Sequence, residues 1–579
     1  MPALSAAAGC TLQQFAQMPV TMVGAKPVVS VQINGRQTPL IADSGAFFSI
    51  LTPASAAELG LALYPAPFNL VVAGIGGNAS IRLTTVRQFA FSGVTVPNVQ
   101  FIVGGSEPGA GAAGTLGQNV LRIADAEYDL GDGVIRLLRP RNCGRAALAY
   151  WAAAPSSTPV SVLRIEPSSP GAPWTIGTAR LNGAPIRVLF DTGSAVSLLT
   201  LRAAARAGVR PTDAGVVPAG LTHGVGRGTV RTWIAPFQSF QIGDEQILHT
   251  RLRIGDLNLN DVDMLLGIDF FLSHRIYVSN SQHQLYFTYN GGPVFNLGAP
   301  PAPASAVPAT ATATPPAPAL RGEPTDAADF ARRGNAFAAR REFAQAIADL
   351  TRACQLSPND PEYFYQRGLV YRDDRQPAVA MTDFDRALML QPDDVEALVA
   401  RAQLHLVNRD RAAAGADLDA AARHAPGQAD ILLAIADAYQ RADLPAAAIA
   451  QYDLWIAAHA QDAKMGGALN GRCRARALAG RELTQALADC NAALKMDPGV
   501  PQFLDSRGLV RLRLGRLDQS IADFDAALRQ EPRNAWSLYG RGVDELRKGM
   551  KGEGERDIAV AVALSPSIVE QASGHGITP

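Results

Sequence analysis

Val188-Leu189-Phe190-Asp191-Thr192-Gly193-Ser194-Ala195-Val196-Ser197-Leu198-Leu199-Thr200 sets an aspartate at the end of one apolar run, follows it with a hydroxylated residue and a glycine, and resumes an apolar run. The same order occurs earlier as Leu40-Ile41-Ala42-Asp43-Ser44-Gly45-Ala46-Phe47-Phe48-Ser49-Ile50-Leu51-Thr52. The two aspartates are 148 residues apart, and their surroundings repeat in register. Asn34-Gly35 and Asn182-Gly183 lie nine residues before them, Ser49 and Ser197 six after, and Gly60 and Gly208 seventeen after. A duplication of this kind predicts two related lobes, each bringing one carboxylate. Two carboxylates held a few ångströms apart cannot both ionise cheaply, so such a pair keeps one proton where an isolated Asp has lost it.

Further matched parts follow each aspartate. A Gly-rich hairpin is expected about thirty residues on, at Ala73-Gly74-Ile75-Gly76-Gly77 and at Thr222-His223-Gly224-Val225-Gly226. An apolar-Gly segment comes 74 and 76 residues after the aspartates, at Leu116-Gly117 and Leu266-Gly267. Between these markers the chain alternates short apolar segments with Gly, Pro and Asn, as in Val28 to Ile33 and Leu285 to Tyr289, which reads as β-strand with tight turns. Residues 20–150 and 156–292 are therefore expected to form two all-β barrels related by a pseudo-twofold axis. Short helices are expected to open at Thr52-Pro53 and Thr200.

This set resembles the retropepsin-like aspartic proteases, in particular a bacterial, often exported branch, over residues 20–290. The resemblance implies that Asp43 and Asp191 are the catalytic dyad and that Ser44, Gly45, Thr192 and Gly193 brace the two aspartate loops against each other. It implies flaps over the substrate at Gly74, Ile75, Gly76 and Gly77 and at His223, Gly224, Val225 and Gly226, and framing strands at Leu116, Gly117, Leu266 and Gly267. The activity implied is endopeptidase cleavage of a peptide or protein substrate by water activated between the aspartates, with no cofactor and no metal. Retropepsins usually assemble one site from two identical chains. Here the repeat lets one chain supply both halves, so a monomer with an intramolecular dyad is expected, with a homodimer in which each lobe pairs with its copy as the other arrangement. The lobes differ after the glycine, Ala46-Phe47-Phe48 against Ser194-Ala195-Val196. The alternative function is thus a catalytically degenerate protease-like module that acts as an interaction scaffold.

The second half reads differently. Residues 298–324 are dominated by Pro and Ala and predict a semi-extended linker. Beyond it prolines recur at 358, 392 and 426, and at 498, 532 and 566, in steps of 34 residues, with a four-residue insertion near Lys464 to Gly467 between the sets. The period resembles the tetratricopeptide repeat, with Gly368, Tyr371, Ala380, Phe384, Ala387 and Pro392 in that pattern's positions in the second unit. About seven units over residues 325–570 predict an all-α solenoid whose partner is a protein. In the last unit Gly552 and Gly554 fall inside the second helix.

The chain has 579 residues, with 52 basic and 52 acidic, so no net field recommends a nucleic acid partner. No uncharged apolar run reaches 18 residues, so no integral membrane segment is expected. Residues 1–19 read as an N-terminal segment, either the remnant of a signal peptide or an ordinary terminus. Cys10 and Cys143 bracket the first lobe, either as a disulfide, which fits an exported, periplasmic protein, or as two thiols, and a cytoplasmic location stays open. The other cysteines, Cys354, Cys473 and Cys490, receive no pairing. Asp269, two residues past Gly267, is a candidate loop-bracing carboxylate, but the uncharged Gln118-Asn119 at the corresponding place in lobe one gives it no second member for a pair, and Trp151 and Trp174 are read as packing residues.

Overall fold

The computed structural model describes residues 3–7, 9–67, 70, 72–74, 77–152, 159–167, 173–223, 229–259, 261–295, 324–427, 429–460 and 462–579. They form two compact units, Met1–Leu390 and Gln391–Pro579.

In the first unit the duplication is visible strand by strand. Lobe one orders its strands Lys26–Ile33, Arg36–Ala42, Gly114–Leu116, Ile50–Leu51, Val94–Gly104 and Ile81–Phe91, and closes by pairing Gln32 with Ala90 and Ile33 with Phe89. Lobe two repeats that order with Ile176–Leu181, Ala184–Phe190, Met264–Leu266, Leu198–Thr200, Glu245–Gly255 and Thr229–Ile242, and closes through Ala179 and Ile242. Each is a closed six-stranded barrel. Asn34-Gly35 and Asn182-Gly183 make the first hairpin turn of each lobe, with φ near 50° at Asn and above 80° at Gly, the left-handed pair that a two-residue turn on twisted strands requires. Alternate residues such as Val29, Val31 and Ile33, or Ile186 and Val188, point into the shared core.

A second layer joins the lobes. Ser161–Arg164, Gln284–Tyr289, His274–Ser279, Asp125–Asp129, Val134–Arg141 and Cys10–Val23 form an antiparallel run whose central pairing, Ala126 with Val278 and Tyr128 with Ile276, takes one strand from each lobe. Residues 10–19, set apart as a terminal segment in sequence, are part of this strand layer. Glu127, fully buried there, receives Arg136 Nη1 at 2.7 Å, Arg275 Nε at 2.9 Å and the Tyr150 hydroxyl at 2.6 Å, the pairing that a buried carboxylate needs. Cys10 is bonded to Cys143.

The helices begin on this body. Ala327–Ala339 packs against Cys10–Val23, places Ala336 and Ala339 in the lobes' core, and is followed by Arg340, which donates to Leu272 O and Gly291 O at 3.3 and 3.4 Å. Its pair is Phe343–Leu356, and Pro361–Asp373 with Pro377–Leu390 completes the first unit. Among its described residues the second unit holds five further helix pairs and then a short helix, Ile568–Gly574. The repeat's small residues are explained by contact: a Cβ on Gly368 or Gly508 would come 2.6 or 2.9 Å from the ring of Phe384 or Phe524. In the last unit Gly554 lets its helix cross Gly542 closely, since a Cβ there would meet Gly542 O at 2.6 Å.

Two features of the helices were not legible in sequence. An Arg on the first helix grips an Asp sixteen residues later on the second, as in Arg333–Asp349, Arg367–Asp383, Arg401–Asp417 and Arg507–Asp523. Cys473 is bonded to Cys490 within one helix pair, while Cys354 is a buried thiol. No helix among the described residues is long and apolar enough to cross a membrane. The linker expected at 298–324 lies outside the described residues except for Pro324.

Candidate active site

Each aspartate sits where its strand ends beside the apolar-Gly strand. Ile41 and Ala42 pair in parallel with Thr115 and Leu116, and Leu189 and Phe190 with Leu265 and Leu266. The Asp43 and Asp191 amides then donate to Leu116 O and Leu266 O, both at 2.9 Å. The framing residues read from sequence therefore hold the loops by main-chain bonds.

The loops interlock across the two lobes. Ser44 N donates to Thr192 Oγ1 at 2.9 Å and Thr192 N to Ser44 Oγ at 3.0 Å. The same hydroxyls donate onward, Ser44 to Phe190 O at 2.8 Å and Thr192 to Ala42 O at 2.6 Å. Four bonds in a twofold arrangement satisfy the amide and hydroxyl of both residues at this buried junction.

That grip carries each carboxylate over the opposite loop. A Cβ added at Gly45 would lie 2.3 Å from Asp191 Oδ1, and one at Gly193 would lie 2.4 Å from Asp43 Cγ. Only glycine tolerates that approach. Asp43 Oδ1 accepts from Gly45 N at 3.0 Å and Ala46 N at 2.9 Å, and Asp191 Oδ1 accepts from Gly193 N at 2.9 Å. Both carboxyl groups remain partly exposed.

Burial drives both carboxyls upward in pKa. For Asp43 the amides of Ala46 and Gly45 oppose the rise, whereas for Asp191 the charge of Asp43 adds to it and carries it well above the usual carboxylate range. Both shifts run in the direction that favours one proton held between the two carboxyls.

A supporting layer lies below the loops, of which sequence reading offered Asp269 alone. Ser49 donates through N and Oγ to Asn119 Oδ1, both at 2.7 Å, and receives Gly117 N at 2.9 Å. Ser197 donates through N and Oγ to Asp269 Oδ1 at 2.9 and 2.6 Å and receives Gly267 N at 2.9 Å. Asp269 therefore has a counterpart, Asn119, which corrects the expectation that it stands alone. An amide oxygen can accept the same two bonds as a carboxylate, and the shared offset from Gly117 and Gly267 was the available signal. Gly117 and Gly267 pass under the loops so closely that a Cβ would meet Phe48 C at 2.5 Å or Val196 C at 2.6 Å. Trp174 was also underread: its Nε1 donates to Gly45 O at 2.8 Å and its ring meets Phe47 edge-on. Trp151 packs as expected, under the Arg275 guanidinium at 4.3 Å.

The first Gly-rich segment pairs Val72–Gly74 with Gly77–Ala79, while Ile75 and Gly76 lie outside the described residues. In the second, Val217–His223 pairs with Thr229–Ile242, and Gly224, Val225 and Gly226 lie outside them. Among the described residues no group of His, Cys, Asp or Glu side chains is placed to hold a metal ion.

Residues 29–120 match the family profile for aspartyl protease, and residues 177–273 match that for the gag-polyprotein aspartyl protease. Tetratricopeptide repeat profiles match residues 334–373, 476–535 and 506–567. The chain thus carries aspartyl-protease domains in its first part and tetratricopeptide repeats in its second. No curated protein sequence matches it. Similar solved structures include a tetratricopeptide repeat protein from Parabacteroides merdae ATCC 43184, at 15% identity over 43% of this chain and 98% of that one, with a TM-score of 0.34. Cut9–Hcn1 of the APC/C hetero-tetramer is similar at 14% identity over 43% and 48%, with a TM-score of 0.32. YrrB, a TPR protein with an unusual peptide-binding site, is similar at 15% over 39% and 97%, with a TM-score of 0.23.

Proposed function

We propose that this chain is an aspartic endopeptidase whose two catalytic carboxylates, Asp43 and Asp191, come from one polypeptide. The observation that carries the reading is the reciprocal seat of each carboxylate against the other loop's glycine, fixed by the Ser44–Thr192 exchange. In this mechanism the ionised member of the dyad takes a proton from a water held between them while the protonated member gives one to the peptide carbonyl. The tetrahedral diol then collapses, the dyad returns a proton to the leaving amine, and no covalent enzyme intermediate forms. The Gly-rich segments near residues 74–77 and 223–226 serve as flaps over the substrate.

The reading extends to the rest of the molecule. The repeats recruit substrate or partner proteins, the enzyme acts as a monomer, and it works in an oxidising compartment such as a periplasm, which the Cys10–Cys143 and Cys473–Cys490 bonds support.

The test is hydrolysis of casein and of a fluorogenic peptide library, with and without a pepstatin-type inhibitor, alongside the mass in solution. Inhibitor-sensitive cleavage by a monomer is expected. A silent wild type that still captures proteins through residues 325–570 would replace this reading with the scaffold one.

A further inference from the structure

The segment after the last helix does not leave the solenoid. Gly576, at φ 69°, reverses the chain, and Ile577 N donates back to Ala572 O at 2.9 Å. His575, Ile577 and Thr578 then contact the first helices of the last two repeats and a turn of an earlier one. His575 Nε2 is 2.7 Å from Asp443 Oδ1, 132 residues upstream, at the turn between Ile431–Arg441 and Pro445–Ala458. Arg513 Nη2 donates to His575 O, the Tyr539 hydroxyl to Ile577 O at 3.3 Å, and Arg547 Nη2 to Thr578 O at 2.6 Å. The Ile577 side chain is 1% exposed, in the cluster that includes Leu509, Leu512, Tyr539 and Val543, while its neighbours Gly576 and Thr578 are exposed.

A protein surface holds a segment of another chain in the same way: side-chain donors take main-chain carbonyls, here those of 575, 577 and 578, one apolar side chain is buried, and one polar side chain meets a carboxylate. Packing alone needs only the buried isoleucine. Three donors from two different repeats on three main-chain carbonyls, with a fourth contact on another repeat, make a recognition surface. Arg513 Nε, moreover, is buried without a hydrogen-bond partner.

We propose that residues 575–579 occupy, in cis, a peptide site on the repeats whose ligand in trans is a protein segment with a histidine or cationic side chain followed, across a turn, two positions later by a branched apolar one. The tethered occupant acts at a high effective concentration, so it suppresses a short peptide ligand by about tenfold or more until displaced. The proposal is independent of catalysis at the aspartates.

A fluorescein-labelled peptide of the sequence Ser573 to Pro579 tests it by anisotropy. The chain ending at Gly574 is expected to bind the peptide at least about tenfold more tightly than the full chain, and a peptide with Asp in place of Ile577 is expected not to bind. The full-length double variant His575→Ala, Ile577→Ser empties the site without shortening the chain and is expected to bind like the truncation. It carries the test if circular dichroism shows the truncated chain unfolded. Equal binding to wild type and the emptied chain, or binding to neither, overturns the proposal and leaves the segment a structural cap.

Discussion

Asn119 and Asp269 occupy equivalent places under the two aspartate loops, each taking the amide and hydroxyl of one serine, although only one of them can carry charge. The neutral member sits below Asp43 and the acidic one below Asp191, whose own pKa is raised further by its neighbour. Asp269 is buried, and burial pushes it up to about 6.

That shift predicts a pH signature. The folded pKa of Asp269 lies above its unfolded value, so the folded state binds more protons between about pH 4 and 6, and stability from this group falls as pH rises through that window and is flat above it. Asp269→Asn removes the dependence while keeping the acceptor that Asn119 shows to be sufficient. Relative to the variant, the wild type is expected to lose up to about 3 kcal/mol between pH 4 and 7. Urea unfolding followed by tryptophan fluorescence at each pH reads it, and parallel curves would disprove the assignment.

Replacing either aspartate of the proposed dyad tests the shared proton. Asp43→Asn and Asp191→Asn are each expected to lower kcat/KM by about a thousandfold or more, and the double variant little further, because the pair acts as one unit. Both pKa values are raised, so wild-type cleavage is expected to fall as pH rises past the pair's upper ionisation. A single variant with full activity would break the model.

The cross-lobe grip has an energetic consequence. Thr192→Val removes the acceptor of Ser44 N and the donor to Ala42 O in a buried site, which costs about 1–3 kcal/mol. Thr192→Ser keeps both bonds and is expected to restore stability and activity, as read by thermal melting and peptide cleavage.

Gly45→Ala separates geometry from ionisation. Its methyl group would fall on the Asp191 carboxylate, so cleavage is expected to be lost although both aspartates remain. Gly60→Ala, a control in lobe one with nothing within 4 Å of the added carbon but a left-handed φ of 66°, is expected to cost stability without abolishing turnover.

Cys10–Cys143 closes a loop with a sequence separation of 133 residues. Cys10→Ser with Cys143→Ser is expected to destabilise the first unit by about 3–5 kcal/mol by freeing the unfolded chain. The unfolding midpoint in denaturant, with and without reductant, checks this: reductant should move the wild type toward the variant.

The sequence by itself determined what local chemistry controls. A turn that must bring backbone against a carboxylate demands glycine after the acid, a twisted two-residue hairpin demands Asn-Gly, and a helix pair stacked every 34 residues demands small residues where rings cross. These requirements act within a few positions, so Asp43, Asp191, both barrels and the repeats were legible. Tertiary structure alone decided the partnerships that span the fold: Asn119 under Ser49, Trp174 on Gly45, Cys473 with Cys490, and His575 on Asp443. Each joins residues whose local sequence is compatible with many environments, and only loop closure by the packed barrels and helices selects one of them.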